Sequence, residues 1–146
     1  MSEQVEIGIA QIFVRDLSFE SPDPIRFLRA KARPEIRLDA RVGAQSTQES
    51  LYEVRLELTV EAKAEDSVVF IVEIEQCGLF EVRGASREQL EHVLKVFCPS
   101  TLFPYARQAI DQALNQGGFQ PLMLAPINFE SLRAASTNAT PSTVQQ

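Results

Sequence analysis

The sequence contains one histidine, His92, and two cysteines, Cys77 and Cys98. An imidazole next to a thiol can take its proton and produce a nucleophile. However, His92 and Cys98 are six residues apart in a predicted helix, so their side chains point about 240° apart. We therefore expect Cys98 to be a small buried group and His92 to be partly exposed. A single histidine also excludes a histidine-rich metal site.

Two carboxylates, Glu73 and Glu75, share one face of a predicted strand. Paired carboxylates can act as general acid and base, but the sequence around them supplies no set of basic or polar partners. A solvated acidic strip is the favoured interpretation. The glycines also lack the spacing of a phosphate-binding loop. No catalytic residue, metal site or cofactor is predicted from these residues.

Composition indicates one folded domain over residues 1–133. Hydrophobic residues make up 45% of the 146 residues, an ordinary value for a globular protein. The net charge of −6 disfavours nucleic acid as a partner, because phosphate neutralisation needs a basic face. The first twenty residues do not resemble a signal peptide, and no apolar run is long enough to cross a bilayer. We expect a cytoplasmic protein with reduced thiols and without direct membrane insertion.

Alternation of apolar and polar residues predicts several strands. Val5–Ile9, Glu35–Val42 and Tyr52–Lys63 each alternate with the period of a strand that has one wet face. Val68–Gln76 also alternates, but Val69 and Ile71 make the first half of its second face apolar, which predicts that both faces are covered there. The short turn before Val68 predicts antiparallel pairing. Asp16–Pro24, with two prolines, is predicted to be a surface loop. A polar break is predicted at Gly43 to Ser50, and low apolar content after Arg133 predicts a flexible tail over residues 134–146.

Helical spacing begins after the strands. Ser86 and Gln89 fit a capping box for a first helix that ends at Pro99. A second helix is predicted to start at Pro104 and to end at Gly117. Strands followed by two helices are typical of an α+β domain.

Six blocks of the sequence, in their order and spacing, resemble the SecB family of protein-export chaperones. The blocks are DLSFESP from Asp16, RPEIRLD from Arg33, YEV from Tyr52, CPSTLFPYAR from Cys98, GF from Gly118 and LAPINF from Leu124. LFPYAR and LAPINF are specific when they occur together. The resemblance extends from about Ile9 to Leu132.

This resemblance implies a four-stranded antiparallel sheet with two main helices packed on one face. It also implies a homotetramer built as a dimer of dimers. The function it implies is an ATP-independent holdase that keeps preproteins unfolded and delivers them to the SecA motor for export. Neither enzymatic activity nor a cofactor is part of that function.

The resemblance also assigns residues to three surfaces. The client-binding residues would be Ile36, Leu38, Leu102, Phe103, Tyr105 and Phe119. The SecA-binding residues would be Asp16, Glu20, Ile71 and Glu73. The tetramer interface would include Leu90, Val93, Leu94 and Phe97. Core packing is the alternative role for each client-binding residue. Leu102 and Tyr105 are predicted to border the client groove, so that alanine at either weakens client retention without unfolding the protein, whereas Phe103 mainly packs.

Two alternatives remain open. One is a SecB-like chaperone dedicated to a single client, such as a toxin–antitoxin system. The other is a small thiol-dependent or acid–base enzyme that uses Cys98, His92 or Glu73, although their spacing gives it no support.

Overall fold

Five strands form one antiparallel sheet in a computed structural model that describes residues 4–30, 33–136 and 142–145. The strands are β1 (Glu6–Glu20), β2 (Glu35–Gln48), β3 (Leu51–Ala64), β4 (Ser67–Arg83) and β5 (Ser142–Gln145). Their spatial order is β1-β4-β3-β2-β5, and every neighbouring pair is antiparallel. The four long strands form the predicted four-stranded sheet, and β5 adds four residues at the edge of β2.

The predicted surface loop at Asp16–Pro24 is wrong in its first half. Residues 16–20 continue β1 and pair with β4, from Asp16 opposite Glu75 to Glu20 opposite Ile71. The prolines of this segment end the strand only after Glu20. Within β1, the register against β4 shifts between Ile9 and Gln11 and again between Val14 and Asp16. Pro24 begins the short helix α1 (Pro24–Leu28).

The hairpin turns are shorter than the sequence indicated. The predicted polar break from Gly43 to Ser50 is wrong for its first six residues, because β2 continues to Gln48. Ser50 adopts a left-handed φ of 64° in the two-residue connection to β3. Glu65 and Asp66, with φ of 53° and 61°, connect β3 to β4 with the handedness that matches the twist of a hairpin.

The two predicted helices are one continuous helical run rather than two separate helices. The run consists of α2 (Arg87–His92), a π-helical segment (Val93–Phe97) and α3 (Cys98–Gln116). The capping box is confirmed, because the backbone N–H of Gln89 donates to Ser86 Oγ and that of Ser86 donates to Gln89 Oε1. The predicted end at Gly117–Gly118 is also confirmed, with Gly118 at a φ of 87°. A further helix, α4 (Phe129–Ser136), follows an extended segment.

The prediction that Pro99 ends the first helix is wrong because the π-helical segment changes the hydrogen bonding just before it. The N–H of Cys98 donates to the carbonyl of Val93, five residues back. Pro99 then falls in the first turn of α3, where a missing N–H is tolerated. The Ser100 hydroxyl donates to the Val96 carbonyl at 2.7 Å, and the Thr101 hydroxyl donates to the Phe97 carbonyl at 3.1 Å. Pro104 lies inside α3.

The hydrophobic core lies between the sheet and the helical run. Opposed residues of an antiparallel pair point to the same face, so the even-numbered residues of β3 and β4 share the covered face. Leu56, Leu58 and Val60 are buried there against Leu102, Ile110 and other residues of α3. Phe129 and Leu132 attach α4 to the same core. Of the helices in the described ranges, none has the length and apolarity needed to cross a membrane.

Two parts of the predicted tail, residues 134–146, have regular structure. α4 continues to Ser136, and β5 pairs with Arg37–Ala40 of β2. Residues 137–141 and residue 146 lie outside the described residues. Regular structure does not decide whether this segment is flexible, so its flexibility stays a prediction.

Candidate functional site

An apolar pocket of about 550 Å³ opens between α1, the end of the β3–β4 hairpin and the segment that follows α3. Phe27, Leu28 and Phe70 line it together with Phe119 and Leu122. A concave apolar surface of this size is typical of ligand sites. The pocket can therefore accept a large apolar side chain from another molecule.

Three aromatic rings and two glycines hold the segment that forms one wall of the pocket. The ring of Phe119 lies 5.2 Å from that of Phe70 and 6.2 Å from that of Phe19, measured between centroids. A Cβ at Gly117 would lie only 2.3 Å from the Phe19 ring, and one at Gly118 only 2.9 Å from Leu28. The Gly117–Gly118 pair therefore ends α3 and also lets β1 and α1 approach the wall closely.

A second, shallower groove of about 380 Å³ lies between β1 and α3. Ile12, Val14 and Tyr105 line it, and Tyr105 is 49% exposed. Gln76 lies at its floor with only 2% exposure, and its side-chain N–H donates to the Phe13 carbonyl at 3.1 Å. Burial of an unpaired amide would be unfavourable, so this bond fixes Gln76 against β1.

The structure separates the predicted client-binding residues into buried and accessible groups. Phe119 lines the pocket and Tyr105 lines the groove. The other four are core residues, and these are Ile36, Leu38, Leu102 and Phe103. Leu102 is fully buried, at 0% exposure, so the prediction that it borders a groove is not matched by its position. Sequence reasoning missed Val14, whose accessibility follows from the exposed edge of β1.

The predicted SecA-binding residues come from two strands and lie together on the uncovered face of the sheet. Glu20 is opposite Ile71, and Asp16 and Glu73 lie nearby on the same pair of strands. Asp16, Glu20 and Glu73 are exposed and form no ion pair with any residue in the described ranges. We call Asp16, Glu20, Ile71 and Glu73 the acidic strip.

Several other charged side chains of this face form ion pairs, which distinguishes them from the acidic strip. Arg55 lies 3.5 Å from Glu57 and 3.6 Å from Glu75, and Lys63 lies 3.5 Å from Glu61. The Arg15 guanidinium contacts the carboxylate of Glu53, which is largely buried. Glu57, Glu61 and Glu75 therefore already lie close to a cation of this chain.

The predicted tetramer-interface residues lie in α2 and the π-helical segment. Phe97 is 44% exposed, Leu90 and Leu94 are half-buried, and Val93 is buried. α4 packs beside this region through His92 and Glu130, whose side chains lie 2.5 Å apart, and through Arg133 and Glu91 at 3.2 Å. Phe97 is thus the most accessible apolar side chain of the four.

Neither cysteine is placed for nucleophilic chemistry. Burial raises the pKa of the Cys98 thiol to about 12. Burial also raises the pKa of Cys77 to about 11, with the nearby carboxylates of Glu75 and Glu53 adding to the effect and Arg15 opposing it. Both remain protonated at neutral pH, whereas a nucleophile needs the thiolate. Within the described ranges, no three His, Cys, Asp or Glu residues are grouped closely enough to hold a metal ion.

Comparisons with known proteins support the resemblance seen in the sequence. A family model described as preprotein translocase subunit SecB matches residues 1–140. The protein-export protein SecB of Chromohalobacter salexigens is 41% identical over 133 residues, which cover 90% of this chain and 81% of that protein. The protein of the same name from Marinobacter nauticus is 43% identical over 131 residues, covering 90% and 79%.

A solved structure shares the fold at much lower identity. It is a SecB-like chaperone from Mycobacterium tuberculosis in complex with a ChAD peptide from an antitoxin. The TM-score is 0.66 at 16% sequence identity, and the match covers 83% of this chain and 90% of that chain.

Proposed function

The chain belongs to the SecB family of protein-export chaperones, and we propose that it holds unfolded preproteins on the apolar pocket and the β1–α3 groove. Holding requires no chemical step, so neither ATP nor another cofactor takes part. The observation that carries this proposal is the accessible apolar pocket around Phe119 on a chain of this family.

The energetics favour many weak contacts with one long client. Burial of one client Phe or Leu side chain contributes about 1.5 to 3 kcal/mol, which is too little for stable capture by one pocket. Several linked sites along an unfolded chain raise the retention by increasing the effective concentration of each further segment. Phe119 and Tyr105 would make direct contacts, while Ile36, Leu38, Leu102 and Phe103 would support these surfaces from the core.

The acidic strip supplies a second surface, which we assign to SecA. Asp16, Glu20 and Glu73 are exposed carboxylates without an ion-pair partner in the described ranges. A basic partner could therefore form new ion pairs with them without breaking existing ones. Because this surface lies on the face opposite the helices, client capture and SecA docking can occur at the same time. The client can then be delivered to the export motor. Because delivery precedes translocation, this function would be carried out in the cytoplasm.

A homotetramer would multiply the client sites. Leu90, Val93, Leu94 and Phe97 are the candidate contacts between two dimers, and the exposure of Phe97 supports this assignment. Contiguous exposed apolar side chains mark interfaces more strongly than a single one, and Leu90, Leu94 and Phe97 follow each other at helical spacing. A long client could then wrap over several copies of the pocket.

General export is favoured over service to one client. The relatives at about 40% identity are named protein-export proteins, whereas the antitoxin-peptide complex is of a chaperone that shares only 16% identity.

Two measurements on the full chain test the proposal. The first is the refolding rate of a slow-folding preprotein with and without a stoichiometric amount of the chaperone, and we expect marked retardation. The second is a calorimetric titration with SecA, in which binding should weaken at high salt because charges make the contact. Normal refolding in the presence of the chaperone would overturn the holdase assignment, and absence of SecA binding would overturn the assignment of the acidic strip.

A further inference from the structure

The outer edge of β2 is only partly covered. Along its other edge, β2 pairs with β3 from Glu35 to Gln48. On the outer edge, Arg37–Ala40 pair with β5, and no described strand pairs with residues 41–48. An edge of this kind presents backbone N–H and C=O groups to any extended chain.

This edge begins next to the apolar pocket. Pro34, the residue before β2, lines the pocket together with Ala64 at the end of β3. A client segment with one side chain in the pocket can therefore continue past Pro34 along β2. At the covered positions the side chains of Leu38 and Ala40 belong to the core, while Arg37 and Asp39 are on the opposite face.

We propose that the outer edge of β2 is a strand-addition site for the backbone of an extended client, and that β5 occupies this site until a client displaces it. The proposal rests on the proposed holdase function. Strand addition uses main-chain hydrogen bonds, and every residue except proline has an N–H group to donate. It therefore suits a chaperone with many clients.

The short length of β5 makes it a displaceable occupant. A strand of four residues makes few hydrogen bonds to β2, and the net gain from each is similar in size to the entropy lost by fixing one residue. A client segment can instead pair along all 14 residues of β2. β5 stays close to the edge because it follows α4 by five residues, and α4 is attached to the core through Phe129 and Leu132.

The test uses two full-length variants of β5, one that disrupts the strand and one that serves as its control. Thr143→Pro combined with Val144→Pro removes the N–H groups that β5 could donate to β2. Thr143→Val combined with Val144→Thr keeps the composition and the strand propensity, and it serves as the control. The probe is a reduced and carboxymethylated protein that cannot refold, and its Kd is measured by fluorescence anisotropy. We expect the proline variant to bind about threefold to tenfold more tightly than the wild type, while the control matches the wild type.

Hydrogen exchange of the same samples shows where the probe binds. Without the probe, the outward-facing amides of Arg37–Ala40 should exchange faster in the proline variant than in the wild type. With the probe, protection should extend into residues 41–48 in both. An unchanged Kd together with unchanged exchange would overturn the strand-addition site, as would protection of residues 41–48 that depends on protein concentration alone and so reports a second copy of the chain.

The two proposals fail in different ways. If the wild type binds the probe and the proline variant behaves like the control, only the strand-addition site is wrong. If the wild type neither binds the probe nor slows refolding, the holdase function itself is wrong.

Discussion

The two faces of the sheet differ in cover and in charge, although the same strands form both. The face under α3 is apolar and mostly buried, and one place where this side is accessible is the groove that Val14 of β1 and Tyr105 of α3 line. The opposite face alternates acidic and basic side chains, and several of those outside the acidic strip form ion pairs. This difference means that the proposed client surface and the proposed SecA surface consist of separate side chains, so each can be changed while the other is kept.

The largest expected effect separates a buried from an accessible leucine on the helix-covered side of the sheet. Leu102→Ala should lower the free energy of unfolding by about 2 to 5 kcal/mol, because it leaves a cavity at a fully buried site. Leu17→Ala is the matched control, since Leu17 is 44% exposed and should lose less than about 1 kcal/mol. Urea unfolding followed by circular dichroism measures both. Equal losses would show that Leu102 is not a core residue.

The next effect concerns the accessible aromatic side chains of the same face. Tyr105→Ala and Phe119→Ala should each weaken the Kd for an unfolded client by roughly tenfold to hundredfold, because each removes about 1.5 to 3 kcal/mol of apolar contact. Tyr105→Phe keeps the ring and should stay within about twofold of the wild type. Client titration by anisotropy gives these values. Unchanged binding in both alanine variants would move the client site away from the pocket and the groove.

A smaller effect is expected on the uncovered face. Glu73→Lys should weaken SecA binding about threefold to tenfold at low salt while client affinity stays unchanged, because it reverses one exposed charge of the acidic strip. Glu49→Lys, at the distant β2–β3 turn, makes the same change in net charge and should leave SecA binding as it is. Calorimetry at two salt concentrations measures the difference. Loss of client binding together with SecA binding would show that the two faces are not independent.

The smallest effect tests whether the uncovered face is open to solvent at Cys77. Cys77 and Cys98 are buried under opposite faces, and burial raises their pKa values to about 11 and 12 from an ordinary value of 9.0. The folded state therefore favours the neutral thiol. This contribution to stability is complete below pH 9.0 and is lost as the pH rises through about 11 to 12.

Thiol labelling at pH 8 checks this expectation. Both thiols should react with Ellman's reagent only as fast as the protein unfolds, and the single variants Cys77→Ser and Cys98→Ser assign each rate. Rapid labelling of Cys77 in the folded protein would mean that the reagent reaches this thiol through the side chains of the uncovered face.

The sequence predicted the facing of the strands better than their ends. Alternation in β3 places Leu56 and Leu58 on one face, because the strand period fixes which side chains share a face. It could not show that β1 continues to Glu20, since the effect of a proline on preceding residues depends on tertiary pairing. The capping box at Ser86 is local chemistry and was predicted correctly.

The candidate site was predictable in its residue types but not in its accessibility. Leu102 and Tyr105 lie close in sequence, and both fit an apolar groove, yet Leu102 is fully buried and Tyr105 is half-exposed. Which of the two side chains points into the core depends on how the helix continues through Pro99. The hydrogen bond from the Cys98 N–H to the Val93 carbonyl permits this continuity, and it has no signature in the sequence pattern. Alternation alone could not show that the residues of the acidic strip lie together, because this depends on the register of β1 against β4, which brings Glu20 opposite Ile71.

The unbroken helical run also has a mechanical consequence. Phe97 and Tyr105 are eight residues apart, so they lie about 12 Å apart along one axis. Pro104 lies between them, and it removes the N–H that would bond to the Ser100 carbonyl, so α3 bends more easily there than an uninterrupted helix would. In the proposed tetramer, a neighbouring copy that presses on Phe97 would therefore act on the same helix that carries Tyr105, and bending at Pro104 would change the width of the proposed client groove between α3 and β1.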